Sequence, residues 1–185
     1  AVCIKAMEPP PAVGGRDILV EHCTVWNDKV RALGIAGESR GEIYNIIFRR
    51  CTVLHSLADW AAEVGALCVV LCDAGTVHDI VFEQIDVLDE RANGINCMLF
   101  RGRWSTDTQA GHIRAVCFRD ITLPKNVPVR LWGYDAAHRV EDILLQNVHM
   151  EEAEALWLDS NVYTSEIQVR GTRQNEWHCK VKMKK

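Results

Sequence analysis

One nine-residue pattern recurs along the chain and limits what it can fold into. Asp or Asn is followed by Ile, any residue, Val or Phe, two mostly polar residues, Cys or Ile, Thr or Asp, and Val. It reads DILVEHCTV at 17–25, NIIFRRCTV at 45–53 and DIVFEQIDV at 79–87. Weaker copies are AVCFRDITL at 115–123, DILLQNVHM at 142–150 and a truncated EIQVR at 166–170. Their first Ile or Val residues are Ile18, Ile46, Ile80, Val116, Ile143 and Ile167. A second pattern follows each full-length copy: RALGIAGE at 31–38, ALCVVLCD at 66–73, GINCMLFR at 94–101, VPVRLWGYD at 127–135 and EALWLDS at 154–160. Both patterns are rich in Val, Ile, Cys and aromatics and partly alternate, which is the signature of strands.

Two strands per repeat of two to three dozen residues predict a repeat architecture. One coil cannot bury its own apolar side, whereas stacked coils share a continuous core. The expected fold is all-β: a right-handed single-stranded parallel β-helix, a solenoid of about five to six coils, in one domain over 1–185. A leucine-rich horseshoe lacks its Leu/Asn signature here, and a propeller needs four strands per repeat. The best helix candidate is the short stretch at 56–64, in a connection. The longest insert, 102–111, carries Trp104 and Asp107 and is expected to project. Residues 172–185 alternate lysine with apolar residues and read as a charged edge strand that caps the core; the alternative is a basic docking tail. At the other end the chain opens directly on a strand, AVCIKAM. An uncapped rung there implies missing coils, a covering partner or self-association, and a homodimer is the expected assembly.

The segments AVCIKA at 1–6, DILVEHCTVWND at 17–28, RALGIAGES at 31–39 and NIIFRRCTVLHS at 45–56 resemble the central coils of pectin-lyase-like, carbohydrate-active β-helix proteins. The nearest groups are the polygalacturonase-like family 28 and the dextranase/isopullulanase-like family 49 of glycoside hydrolases. The resemblance spans about residues 1–150 and implies a fold and a polysaccharide ligand. The catalytic motifs are not matched. The paired aspartates would lie before Ala1. The stretch matching the Gly-His-Gly motif, 31–37, has no histidine, and that matching the Arg-Ile-Lys motif, 68–72, has no cation. This chain alone is therefore expected to bind carbohydrate without hydrolysing polygalacturonate or dextran. The rival reading is a non-catalytic structural or oligomerisation module.

Site candidates are few. Glycoside hydrolysis needs two carboxyl groups across the scissile bond. Glu38, Asp73, Asp135 and Asp159 sit at strand ends, and Asp89 and Glu90 follow a first-pattern strand, but Asp also favours turns. The aromatics are more specific. Aligning Leu99, Leu131 and Leu156 as inward residues puts Phe100, Trp132 and Trp157 outward on three consecutive rungs, with Arg130 on the same face. Aromatic planes and a guanidinium suit sugar C–H faces and hydroxyls. Phe100, Arg130, Trp132, Trp157 and Asp159 are thus the candidate substrate-binding residues. A second subunit or an internal cover would use the same face.

Eight cysteines are present, most of them in apolar strand-like runs. A chain of this length needs no disulfide staples, so reduced buried thiols are expected. The seven histidines show no ligand spacing and are expected at the surface, without a metal. No phosphate loop or nucleophile motif implies a cofactor. A net charge of -4 disfavours nucleic acid, and no apolar run approaches the ~20 residues of a membrane helix.

Overall fold

The computed structural model describes residues 1–171 except 13, 59, 60, 62, 63 and 154. Among these, every regular element is a strand. Six short strands lie side by side in the order β1 (Val2–Ile4), β4 (Leu33–Ile35), β6 (Leu67–Leu71), β8 (Ile95–Leu99), β10 (Val129–Trp132) and β12 (Leu158–Ser160). A second sheet runs β13 (Thr164–Arg170), β11 (Val140–Met150), β9 (His112–Leu123), β7 (Thr76–Val87), β5 (Glu42–Ser56) and β2 (Arg16–Glu21), with β3 (Thr24–Asn27) also paired to β5. These pairings are all parallel. The chain visits the two sheets in turn and lands one strand further along at each return. This stacking of two parallel sheets is compatible with a parallel β-helix.

The long strands show how the sequence makes a corner without a loop. In β5 the buried core residues are Ile43, Ile46, Phe48, Cys51 and Val53, at spacings of 3, 2, 3 and 2. Simple alternation slips by one residue twice. At each slip sits a left-handed residue, Asn45 (φ 53°) and Arg50 (φ 52°). A residue in that region turns the chain and restores the inward phase. Strand β7 repeats the device at Asp79 and Gln84, β9 at Ala115 and Asp120, and β11 at Asp142 and Asn147. Asp and Asn bear positive φ at the lowest cost among residues with a side chain. Ala115 (φ 52°) breaks the rule at the first corner. Ala115→Asn is expected to stabilise the protein by roughly 0.5–1 kcal/mol. The check is a higher urea midpoint with an unchanged slope.

Like residues stack above like. Ile18, Ile46, Ile80, Val116, Ile143 and Ile167 form one column across six strands, as the repeat implies. Phe48, Phe82 and Phe118 form another, their rings stacked at 4.7 and 5.0 Å. Across the core they face the inward residues of the short strands, among them Leu33, Leu67, Ile95 and Val129.

Three expectations need correction or fall outside what is described. Ser56 ends β5 and so cannot begin a helix; 59, 60, 62 and 63 are among the undescribed residues. The cap at 172–185 is likewise outside the described residues. The seven described cysteines are free, but they are not all interior. Cys51 and Cys97 face the core, whereas Cys3 is exposed and Cys68, Cys72 and Cys117 stand on outer faces.

Candidate functional site

Alternation in the short strands leaves Cys68, Val70, Asn96, Met98, Arg130, Trp132 and Asp159 on the outer face of the six-stranded sheet. A face turned to water is ordinarily polar. Here Cys68, Val70 and Met98 are buried and form a second apolar cluster, against which Phe100 and Trp132 pack. Two connections flank this face. One carries Ala61 and Val64, and Asn93 holds it by donating from Nδ2 to the carbonyls of Ala58 (3.2 Å) and Val64 (3.0 Å). The other is the insert after β8. Buried Asp73 accepts from the backbone N–H of Thr106 (2.5 Å) and Asp107 (2.7 Å) through one oxygen; its second oxygen is buried and meets no partner. Asp107 in turn accepts from Arg40 at 2.9 and 2.8 Å and from the N–H of Ala74 at 3.1 Å. The Arg40 hydrogen bond holds the Asp107 carboxyl below the usual carboxylate range. The expected projecting loop is therefore a pinned wall.

Between the walls lies a groove of about 430 Å³, lined on its apolar side by Val70, Cys72, Phe100 and Trp104. Among the described residues its rim carries four cations, Lys5, Arg31, Arg101 and Arg103, against one carboxylate, Glu38. Glu38 is tied to Lys5 at 3.0 Å, and Arg103 lies over the Trp104 ring at 4.6 Å. The Arg31 Nε is buried without a hydrogen-bond partner, and its Nη1 reaches Cys3 Sγ at 3.3 Å. Burial, then the Asp73 charge, pushes the Cys72 thiol up to about 11. Such a thiol is a poor nucleophile at neutral pH.

The proposed residues divide. Phe100 lines the groove. Arg130, Trp132 and Asp159 do meet: the Trp132 indole N–H donates to the Asp159 carbonyl (3.1 Å) and carboxylate (3.3 Å), and Arg130 Nε lies 3.7 Å from that carboxylate. Trp157 is exposed. The rung alignment is corrected, however. Leu131 pairs with Cys97, not Leu99, and with Ser160, not Leu156; Trp132 pairs with Met98, not Phe100. The three rings do not share one position. Alternation assigns a face, and a slip of two or four residues keeps the face while changing the position along the strand.

The carboxylates do not come together as a pair across the groove. Asp135 accepts from the N–H groups of Ala137 and His138 within its own turn. Exposed Glu90 lies 3.7 Å from Lys125. Asp89 is buried on the long-strand sheet's side, where His55 lies between it (2.5 Å) and Asp28 (3.1 Å). That buried histidine departs from the expected surface pattern. Its signal was present: His55 continues the inward phase of Cys51 and Val53. Among the described residues no group of three or more His, Cys, Asp or Glu side chains is placed to hold a metal ion. Comparison with protein-family models, curated proteins and solved structures finds no match, so the glycoside-hydrolase resemblance rests on the repeat and its residues alone.

Proposed function

We propose that the chain is a right-handed parallel β-helix of about five to six coils whose outer groove binds an oligosaccharide or polysaccharide without hydrolysing it. The observation that carries this reading is the groove lined by Phe100, Trp104 and four cations. Its volume falls within the range of small-ligand sites. Aromatic planes suit the C–H faces of sugar rings, and guanidinium and ammonium groups suit carboxylate or sulfate substituents. The chain carries a net charge of -4, so the cations are concentrated here against the overall balance, which favours an anionic glycan. Hydrolysis requires two carboxyl groups flanking the bond. Glu38 is the one carboxylate on the described rim, and Lys5 already holds it.

The test is calorimetric titration with acidic and neutral oligosaccharides. Wild-type protein is expected to bind the acidic set, more weakly as salt rises. Trp104→Ala is expected to lose about tenfold or more in affinity with little change in melting temperature, because the ring is half exposed and supports no core. Wild-type protein that ignores both panels would sink the proposal. The structural-module reading has its own support in the apolar outer face of the other sheet.

A further inference from the structure

We propose that the outer face of the long-strand sheet is an interface between two copies of this chain, related by a two-fold axis parallel to the strands. Outward residues Leu19, Ile47, Val81, Cys117 and Leu144 occupy one register column on β2, β5, β7, β9 and β11. Five rungs at about 4.8 Å make an apolar stripe roughly 19 Å long. Its first member, Leu19, is 49% exposed. An outward column on a solvated sheet ordinarily carries polar side chains.

The column beside it says what covers the stripe. Two residues further along each strand stand Glu21, Arg49, Glu83, Arg119, Gln146 and Arg170 in register. The first four alternate in sign from rung to rung. Arg49 pairs with Glu21 at 2.7 Å, and Arg119 pairs with Glu83. This ladder is self-complementary in one arrangement. Consider a second copy turned about an axis that runs along the strands, between β5 and β7. Its rung order is reversed, and each column faces its own counterpart. Glu21 then lies over Arg119 of the second copy, and Arg49 over Glu83. In the apolar column Leu19 lies over Cys117, and Ile47 over Val81. All four charges meet the opposite sign. An axis along the stack keeps rung against rung. It sets Glu against Glu where the charged columns meet, or else lays charged residues on the apolar column. Like charges face to face cost affinity and suppress that arrangement. The balanced alternation also gives an anionic lipid surface nothing to prefer.

The interface differs from an end-to-end contact through β1, and two experiments separate them. Sedimentation of the whole chain is expected to give twice the 20.9 kDa chain mass. Val81→Asp is expected to give a monomer with unchanged circular dichroism and a melting temperature that no longer depends on protein concentration. The second experiment uses the native thiol of Cys117 and does not depend on how Val81→Asp folds. Leu19→Cys is expected to form a covalent dimer on mild oxidation, and Leu19→Cys/Cys117→Ser to lose it. A wild-type monomer at high concentration, a trimer, a well-folded Val81→Asp that still dimerises, or cross-linking that survives Cys117→Ser would each overturn the proposal.

Discussion

Replacing Phe82 with alanine is expected to lower the unfolding free energy by about 3–5 kcal/mol. Phe82 is fully buried and is the middle ring of three, 4.7 Å from Phe48 and 5.0 Å from Phe118, with interplanar angles of 10° and 11°. Truncation removes both stacking contacts and leaves a cavity that neighbours on three rungs would have to close. Those neighbours are fixed by the registers of β5, β7 and β9, so collapse into the hole is limited. In a stacked architecture each unit depends on the next, and the defect lies near the middle of the stack. Phe82→Leu keeps most of the volume and should cost well under half as much. Equilibrium urea unfolding of both variants is the measurement. An alanine variant within about 1 kcal/mol of wild type would mean that the ladder is not a packed core element.

The same column shows why half of this fold was readable from residues alone. Four of the six copies carry their own marker, an Asp or Asn followed by Ile, and together the six put Ile18, Ile46, Ile80, Val116, Ile143 and Ile167 in register. The marker has a physical cause, because the Asp or Asn is the left-handed corner residue. The short strands carry no such marker. They contain three to five residues, mostly Leu, Val, Ile and Cys, and a slip of two leaves the pattern looking equally good. A slip of two misplaces Phe100, and a slip of four misplaces Trp157, relative to Trp132. The groove was harder still. Lys5, Glu38 and the pair Arg101 and Trp104 come from three separate connections, and their meeting is fixed by Asp73 and Arg40 gripping the insert. No local spacing announces such a contact. His55 was legible by phase but was grouped with scattered surface histidines, because a partner one coil away leaves no trace in a nine-residue pattern.

Asp89→Ala is expected to cost about 3 kcal/mol at neutral pH, because it removes one partner of a buried histidine and leaves the Ser56 N–H without its acceptor. One Asp89 oxygen lies 2.5 Å from His55 Nδ1 and accepts from the Ser56 N–H at 3.1 Å. The other accepts from the backbone N–H and the Nε of Arg91, both at 3.1 Å. On the far side of the ring, His55 Nε2 lies 3.1 Å from Asp28, which also accepts from the Trp26 indole at 2.9 Å. The network ties β3, the end of β5 and the connection after β7 at one corner. Arg91 is largely exposed and can rehydrate, so the cost sits at the low end for a broken buried pair. The effect is linked to pH. Burial alone would raise the Asp89 carboxyl, but the Arg91 N–H, the Arg91 guanidinium and the Ser56 N–H outweigh it and hold the group below its ordinary 3.8. The unfolded chain therefore takes up this proton first as pH falls. The stabilisation is complete above about pH 5 and is lost as pH drops through the depressed folded-state value. The gap between wild type and Asp89→Ala should accordingly narrow from about pH 5 to about pH 3. Urea midpoints across that interval decide the matter. A gap that stays constant would show that the carboxylate's charge is not what secures the corner, and a gap that widens would reverse the sign of the linkage.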